Sequence, residues 1–150
     1  MYDSQFIYGS SLESSLEGLF TKEAEKNMSE IEYLAIPYTH SDLFVLNGRA
    51  LIADAIAAAL IKKGRIVYSS ISCWHHIAMN HKMELDWRTW AKLDEEFIKI
   101  SKKVLVIMLS GWKKSVGVQA EIKIAEKFNI QIEYLNPSDL INLDDFKEEK

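Results

Sequence analysis

The sequence predicts an α/β fold, a Rossmann-like or flavodoxin-like three-layer sandwich whose parallel sheet has four or five strands. Two observations carry this prediction. Short apolar runs alternate with longer segments of helical periodicity, and alternating strands and helices form right-handed crossovers in a parallel sheet. The runs are almost continuously apolar, as in residues 104–109, which is typical of strands covered on both faces.

The first half of the domain begins with a predicted strand over residues 31–36. Pro37 ends this strand because proline lacks a backbone N–H for the ladder. A strong helical pattern covers residues 42–63, with apolar side chains along one side, and Gly64 stops it. Residues 65–70 form the second predicted strand.

The second half begins with a segment that shows no regular period and contains Trp74, His75, His76 and His81. A helix is predicted over residues 86–102, with Trp87, Trp90 and Phe97 on its apolar stripe. The remaining predicted elements are a strand at 104–109, a helix at 116–128 and a strand at 130–134.

Both ends of the chain lie outside this pattern. Residues 1–30 are predicted to be an N-terminal extension, helical or loose, in which 14–26 could form a short helix with Leu16, Leu19 and Phe20 on one face. Residues 31–136 form the predicted domain, and 137–150 form a polar C-terminal tail in which one helical turn could form.

Composition narrows the classes of function. The 150 residues are 48% hydrophobic, which suits one globular domain with a sizeable core. The net charge of −4, from 18 basic and 22 acidic residues, argues against broad binding of nucleic acid or anionic membranes. The lone cysteine, Cys73, fits a reducing cytoplasm. Neither a signal peptide nor an apolar run long enough to span a bilayer is visible, so we expect a cytoplasmic protein.

A ligand of such a sheet binds outside the carboxyl ends of the strands. Three loops therefore matter, at residues 37–41, 69–76 and 110–115, and they suit a small ligand with hydroxyls and a flat ring. Their polar and aromatic residues are Tyr38, Thr39, His40, Ser69, Ser70, Ser72, Trp74, Ser110, Trp112 and Ser115. Ser115 is either a helix N-cap or part of an anion site at a helix N-terminus, and the two roles are compatible.

Several familiar motifs are missing from the sequence. It has no Walker phosphate loop, no Gly-x-Gly-x-x-Gly fingerprint and no Gly-x-Ser-x-Gly nucleophile elbow. The histidines lack the spacing of a zinc site, so we expect neither a metal nor a cofactor. Cys73 could be a nucleophile, although an unpaired cysteine near a strand end is more often a small buried filler.

A group of residues resembles the nucleoside 2-deoxyribosyltransferase-like superfamily. These residues are the run Tyr33-Leu-Ala-Ile-Pro-Tyr38, Arg49, Asp94 and the block Gly111-Trp-x-x-Ser115-x-Gly117-Val-x-x-Glu121. The block resembles a branch of bacterial and phage proteins that share this signature. The resemblance covers residues 31–135.

The resemblance implies chemistry at the N-glycosidic bond of a (deoxy)nucleoside or nucleoside 5′-monophosphate, in a homodimer or larger homo-oligomer. It makes Glu121 the nucleophile, Asp94 the residue that binds sugar hydroxyls or protonates the leaving base, and Tyr33 the residue that orients the glutamate. Ser115 and Gly117 would hold the 5′ end of the ligand. Other expected ligand contacts come from Tyr38, His40, Arg49, Ser70, Trp74 and Trp112.

Other interpretations stay open at this stage. Glu121 could be an ordinary helix residue near a favourable dipole, and Asp94 belongs to an acidic run of the kind that usually faces solvent. The loop after the first strand carries Pro37-Tyr-Thr-His40 instead of the glycine-rich loop of the nucleotide hydrolases, which leaves phosphate recognition open. A non-catalytic nucleotide-binding or interaction module with the same fold is therefore the alternative to an enzyme.

Overall fold

The computed structural model describes residues 30–146, which fold around a four-stranded sheet whose strands are all parallel. The strands are β1 (Glu32–Ala35), β2 (Val67–Ser69), β3 (Lys103–Ile107) and β4 (Gln131–Leu135). Their order across the sheet is β2-β1-β3-β4. The predicted α/β, Rossmann-like three-layer fold is confirmed, with four strands. The helix predicted over residues 14–26 lies outside the described residues.

Four α-helices connect the strands in this part of the chain, and a side chain caps each N-terminus. They are α1 (Leu43–Lys62), α2 (Ser70–Asn80), α3 (Trp87–Lys99) and α4 (Val116–Lys127). Asp42, Ser69, Asp86 and Ser115 accept hydrogen bonds from backbone N–H groups of the first turns. Such caps satisfy donors that a helix cannot pair internally. The predicted helices at 42–63, 86–102 and 116–128 are thereby confirmed.

Helix α2 corrects the sequence prediction, which assigned no regular structure to this segment. The helix starts directly at the end of β2, because the Ser69 side chain accepts a hydrogen bond from the Ser72 backbone N–H. No loop separates strand and helix, and the usual turn residues are absent. Only Ser70 and Ala78 of this helix are buried, so its apolar period is too weak to recognise in the sequence.

The sheet has a core on each face, which makes the fold three-layered. Alternate residues of a strand point to opposite faces. Leu34, Ile36, Leu105 and Ile107 pack under α1 with Ala53, Ile56, Ala57 and Leu60. Tyr33, Ala35, Val104 and Val106 pack under α3 and α4 with Ile98, Val118, Ile122 and Ala125.

The chain after β4 returns to the α1 side of the sheet. It forms two 3-10 turns, Pro137–Asp139 and Leu143–Phe146. Three partly buried residues of this segment pack against the α1 core: Leu140, Ile141 and Leu143. The described part of the predicted polar tail therefore covers the domain.

Helix α1 has 20 residues and a mean hydropathy of 1.7, long and apolar enough by length and composition to cross a membrane. No such segment was expected from the sequence. In the fold, 33% of its apolar window is buried, including Leu46, Ile56 and Leu60. Mostly buried core helices satisfy the same criterion of length and composition.

Candidate functional site

The strand order reverses between β1 and β3, because β2 lies on one side of β1 and β3 on the other. At such a switch point the connections leave in opposite directions and open a crevice outside the carboxyl ends of the strands. A cavity of about 790 Å³ occupies this crevice. Its walls come from the loop after β1, the start of α2, the N-terminal part of α3 and the segment from Gly111 to Glu121.

The deepest polar contact joins β1 to α4. Tyr33 is fully buried, and its hydroxyl donates a 2.8 Å hydrogen bond to Oε1 of Glu121. Glu121 is 6% exposed and lines the cavity. Its position six residues after the Ser115 cap places it on the face of α4 that packs on the sheet, beside the buried Val118 and Ile122. The carboxyl group of Glu121 therefore contacts buried protein groups and is shielded from bulk solvent.

A second carboxyl group reaches the cavity from α3. Asp94 is 3% exposed, and its Oδ1 atom has no hydrogen-bond partner among residues 30–146. Buried polar atoms are paired in the great majority of cases. An unpaired oxygen at the wall of a cavity is a group prepared for a ligand or a proton, so Asp94 does not belong to a solvated acidic face.

Burial dominates the electrostatics of these groups. Burial first, and then the negative charge of Asp94, raise the pKa of Glu121 well above its usual range, while the hydrogen bond from Tyr33 lowers it. Burial also raises the pKa of Asp94, and the nearby hydroxyls of Tyr33 and Ser70 oppose this. The pKa of Tyr33 is raised by burial and by both carboxylates. Tyr33 therefore remains a donor, and the carboxyl pair holds a proton more readily than two separate carboxyls would.

Positive charge lies on another part of the wall. Nη1 of Arg49 donates hydrogen bonds to the backbone oxygens of Thr39 (2.9 Å) and Tyr38 (3.4 Å). No carboxylate pairs with Arg49 in the part of the chain that the structure describes, and burial lowers its pKa. Gly111, with φ of 89°, turns the chain after β3 so that a Cβ at this position would lie 3.7 Å from Nη2 of Arg49. Arg49 thus keeps donors free for an anion.

The N-terminus of α4 lies on the same cavity wall. Ser115 accepts a 3.4 Å hydrogen bond from the Val118 N–H, so the N-cap interpretation is confirmed. Ser115, Gly117 and Lys114 all line the cavity. Helix N-termini attract anions through free N–H groups and the helix dipole.

Aromatic side chains form the wall around α2 and α3. The rings of Trp74 and Trp90 stack with centroids 6.1 Å apart and an interplanar angle of 21°. Trp74 Nε1 donates to the hydroxyl of Tyr68 (2.9 Å), and Trp90 Nε1 donates to the backbone oxygen of Glu84 (3.2 Å). Both indoles are therefore fixed by their polar edges, and both residues line the cavity.

The cavity brings together most of the residues singled out from the sequence. Those that line it are Tyr38, His40, Arg49, Ser70, Trp74, Asp94, Ser115, Gly117 and Glu121. Tyr33 reaches the site through Glu121. Trp112 is not part of the lining; it packs against Tyr134, with ring centroids 5.6 Å apart. Cys73 is exposed and does not line the cavity either.

Sequence reasoning missed part of the wall. The missed residues include His75, Trp87, Arg88, Trp90 and Lys114. Trp87 and Trp90 fall on the apolar stripe of α3, a position typical of core or interface residues. Their position in the first turn of α3 could have indicated a role in the site, because this turn lies at the carboxyl edge of the sheet. His75 could have been found only with α2 assigned as a helix.

A family model described as a domain of unknown function, DUF1937, matches residues 30–135. The chain belongs to the DUF1937 family. The match to the DUF1937 domain spans all four strands and every residue that lines the cavity. No curated protein matches the chain. Within residues 30–146 of this DUF1937 member, no group of three or more His, Cys, Asp or Glu side chains could hold a metal ion.

Proposed function

We propose that this protein cleaves or transfers the N-glycosidic bond of a (deoxy)nucleoside 5′-monophosphate or the corresponding nucleoside, with Glu121 as the nucleophile. The observation that carries the proposal is the buried Tyr33–Glu121 hydrogen bond of 2.8 Å. It lies beside Asp94, whose Oδ1 atom has no partner among residues 30–146, at a cavity large enough for a nucleotide. Two carboxyl groups with different environments are the usual equipment for glycosidic chemistry through a covalent intermediate.

The proposed reaction has two steps. In the reactive form the proton of the carboxyl pair lies on Asp94 and Glu121 is ionised. A carboxylate oxygen of Glu121 then forms a bond to the anomeric carbon, while the bond from that carbon to the base nitrogen breaks. The electron pair leaves with the base, and Asp94 supplies a proton to it. Water or a second base then attacks the anomeric carbon, gives its proton to the Asp94 carboxylate, and releases Glu121. The carboxyl pair thus ends the cycle with the proton it began with.

Tyr33 has a defined part in this scheme. Its hydroxyl stabilises the charged form of Glu121, because the hydrogen bond lowers the pKa that burial raises. An oxocarbenium-like transition state places positive charge next to the same carboxylate, which favours the ionised form further. The Glu121 anion is therefore least stable in the empty cavity. It is stabilised most when positive charge develops on the reacting sugar.

The sheet order suggests how the ligand lies. Trp74 lies on α2, directly after β2, and stacks on Trp90 of α3, whereas Ser115 and Gly117 follow β3, on the other side of β1. A flat base suits the aromatic wall. A 5′-phosphate suits the α4 N-terminus together with Arg49, which has no carboxylate partner within residues 30–146. This arrangement favours the nucleotide over the free nucleoside.

The test is release of free base from a panel of (deoxy)nucleosides and their 5′-monophosphates. Glu121→Ala is expected to abolish release, whereas Glu126→Ala, an exposed position on the same helix, leaves it unchanged. Release that survives in Glu121→Ala would overturn the assignment of the nucleophile. Tight nucleotide binding without release across the panel would favour the non-catalytic binding module instead.

The same proposal includes a homodimer or larger homo-oligomer, as the resemblance implies. Sedimentation velocity at several protein concentrations measures this directly. A monomer at all concentrations would refute the proposed oligomer. The proposed reaction would still be tested by base release.

A further inference from the structure

A tyrosine and a histidine that the proposed chemistry does not use are joined at the cavity wall. The hydroxyl of Tyr38, in the loop after β1, lies 2.7 Å from Nδ1 of His75 on α2. Their rings meet edge to face at 86°, with centroids 5.7 Å apart. Both residues line the cavity. Nε2 of His75 has no hydrogen-bond partner among the described residues.

The surroundings of the pair favour one arrangement of its protons. Burial raises the pKa of Tyr38, so the phenol keeps its proton. Burial first, and then the neighbouring His76, lower the pKa of His75, although Asp54 opposes them. Between a neutral phenol and a neutral imidazole, the phenol is the stronger acid and the imidazole nitrogen the stronger base. Donation from the O–H of Tyr38 to Nδ1, with the ring proton on Nε2, is therefore the favoured arrangement.

The position of the pair suits a ligand base better than a sugar. His75 follows Trp74 directly on α2, and His75, Trp74 and Trp90 all line the cavity. Stacking alone accepts any flat ring and carries little specificity. A hydrogen-bond donor with a fixed orientation beside the stacking surface can distinguish bases by the polar atoms on their edges.

We infer that the Tyr38–His75 pair recognises the base of the ligand, with Nε2–H of His75 donating a hydrogen bond to a carbonyl oxygen or unprotonated ring nitrogen of that base. This inference rests on the proposed function, because it assumes a nucleotide in the cavity. Tyr38 acts as a positioning residue: it fixes the ring and the tautomer of His75 without contacting the base itself.

The first test measures binding by calorimetry in a Glu121→Gln background, so that the ligand is not consumed. The probes are the four common 2′-deoxynucleoside 5′-monophosphates and 2-deoxyribose 5-phosphate, which lacks a base. Adding His75→Leu is expected to weaken binding of the tightest nucleotide about tenfold or more, as for loss of a buried hydrogen bond, and to leave binding of the sugar phosphate unchanged. His75→Gln keeps an N–H donor and is expected to restore part of the loss. Tyr38→Phe is expected to cause a smaller loss.

The second test needs no ligand. Nitrogen-15 NMR of the ring nitrogens of His75 is expected to show the Nε2–H tautomer, with Nδ1 as an acceptor. A proton on Nδ1 would overturn the inference while leaving the proposed function intact. Equal weakening of nucleotide and sugar phosphate by His75→Leu would do the same, since it indicates a structural role. If none of the nucleotides binds, both the proposed function and this inference fail together.

Discussion

Glu121→Gln is expected to stabilise the folded protein more at neutral pH than at acidic pH. The pKa of Glu121 is raised in the fold by burial and by Asp94, so the folded state binds its proton more tightly than the unfolded state does. The contribution of protonated Glu121 to the free energy of unfolding is fully present below the ordinary glutamate pKa of about 4.3. It falls as the pH rises towards the raised pKa of the folded state. The slope is about 1.4 kcal/mol per pH unit. Between pH 5 and pH 7 the loss is at most about 2.7 kcal/mol.

The glutamine variant removes this loss because it has no proton to release. Its amide oxygen can still accept the hydrogen bond from Tyr33. Urea unfolding at pH 5, 6 and 7 gives the free energy of unfolding of both proteins, and the advantage of the variant is expected to grow with pH. Glu126→Gln, an exposed change on α4, serves as the control. A stability difference that is the same at all three pH values would refute the electrostatic argument.

Three further predictions concern other parts of the molecule. Tyr33→Phe is expected to lower kcat about 10- to 150-fold, the equivalent of one hydrogen bond to a charged group. It also shifts the rise in activity to higher pH, since the lost bond had lowered the pKa of Glu121; a pH–rate profile measures both. Arg49→Met is expected to weaken binding of a nucleoside 5′-monophosphate about tenfold or more while sparing the nucleoside, and calorimetry with the two ligands would contradict this if both weaken equally. Arg65→Met removes a 2.6 Å ion pair to the part-buried Glu32 and is expected to cost about 1–2 kcal/mol of stability in urea unfolding, with base release unchanged because this pair lies at the amino end of the sheet.

The fold was predictable because its strongest signals are local. The apolar run at 104–109 became β3 (Lys103–Ile107), and Asp42 and Ser115 cap the helices that the periodicity predicts. Strand order was not accessible in this way, since it depends on contacts between distant residues. Helix α2 was not predicted because its sequence has almost no apolar periodicity. Only two of its residues are buried, so few positions need to be apolar.

The candidate site could be predicted where the sequence motif follows the carboxyl end of a predicted strand. Glu121, Asp94 and Tyr33 come together at one cavity, although they belong to three elements far apart in sequence; the roles that the resemblance implies for them stay predictions. Trp112 shows the limit of this reasoning. It belongs to the motif and follows β3, yet the 3-10 turn Trp112–Lys114 carries its ring onto Tyr134 and out of the cavity wall.

The chain after β4 sets a practical boundary for work on this protein. The family match ends at Leu135, but Leu140, Ile141 and Leu143 cover apolar surface beside α1. A fragment cut at the family boundary would uncover that surface and tend to self-associate. Truncations, fusions and proteolytic trimming are therefore best placed after residue 146, and a soluble fragment ending at 135 would show that this cover is dispensable.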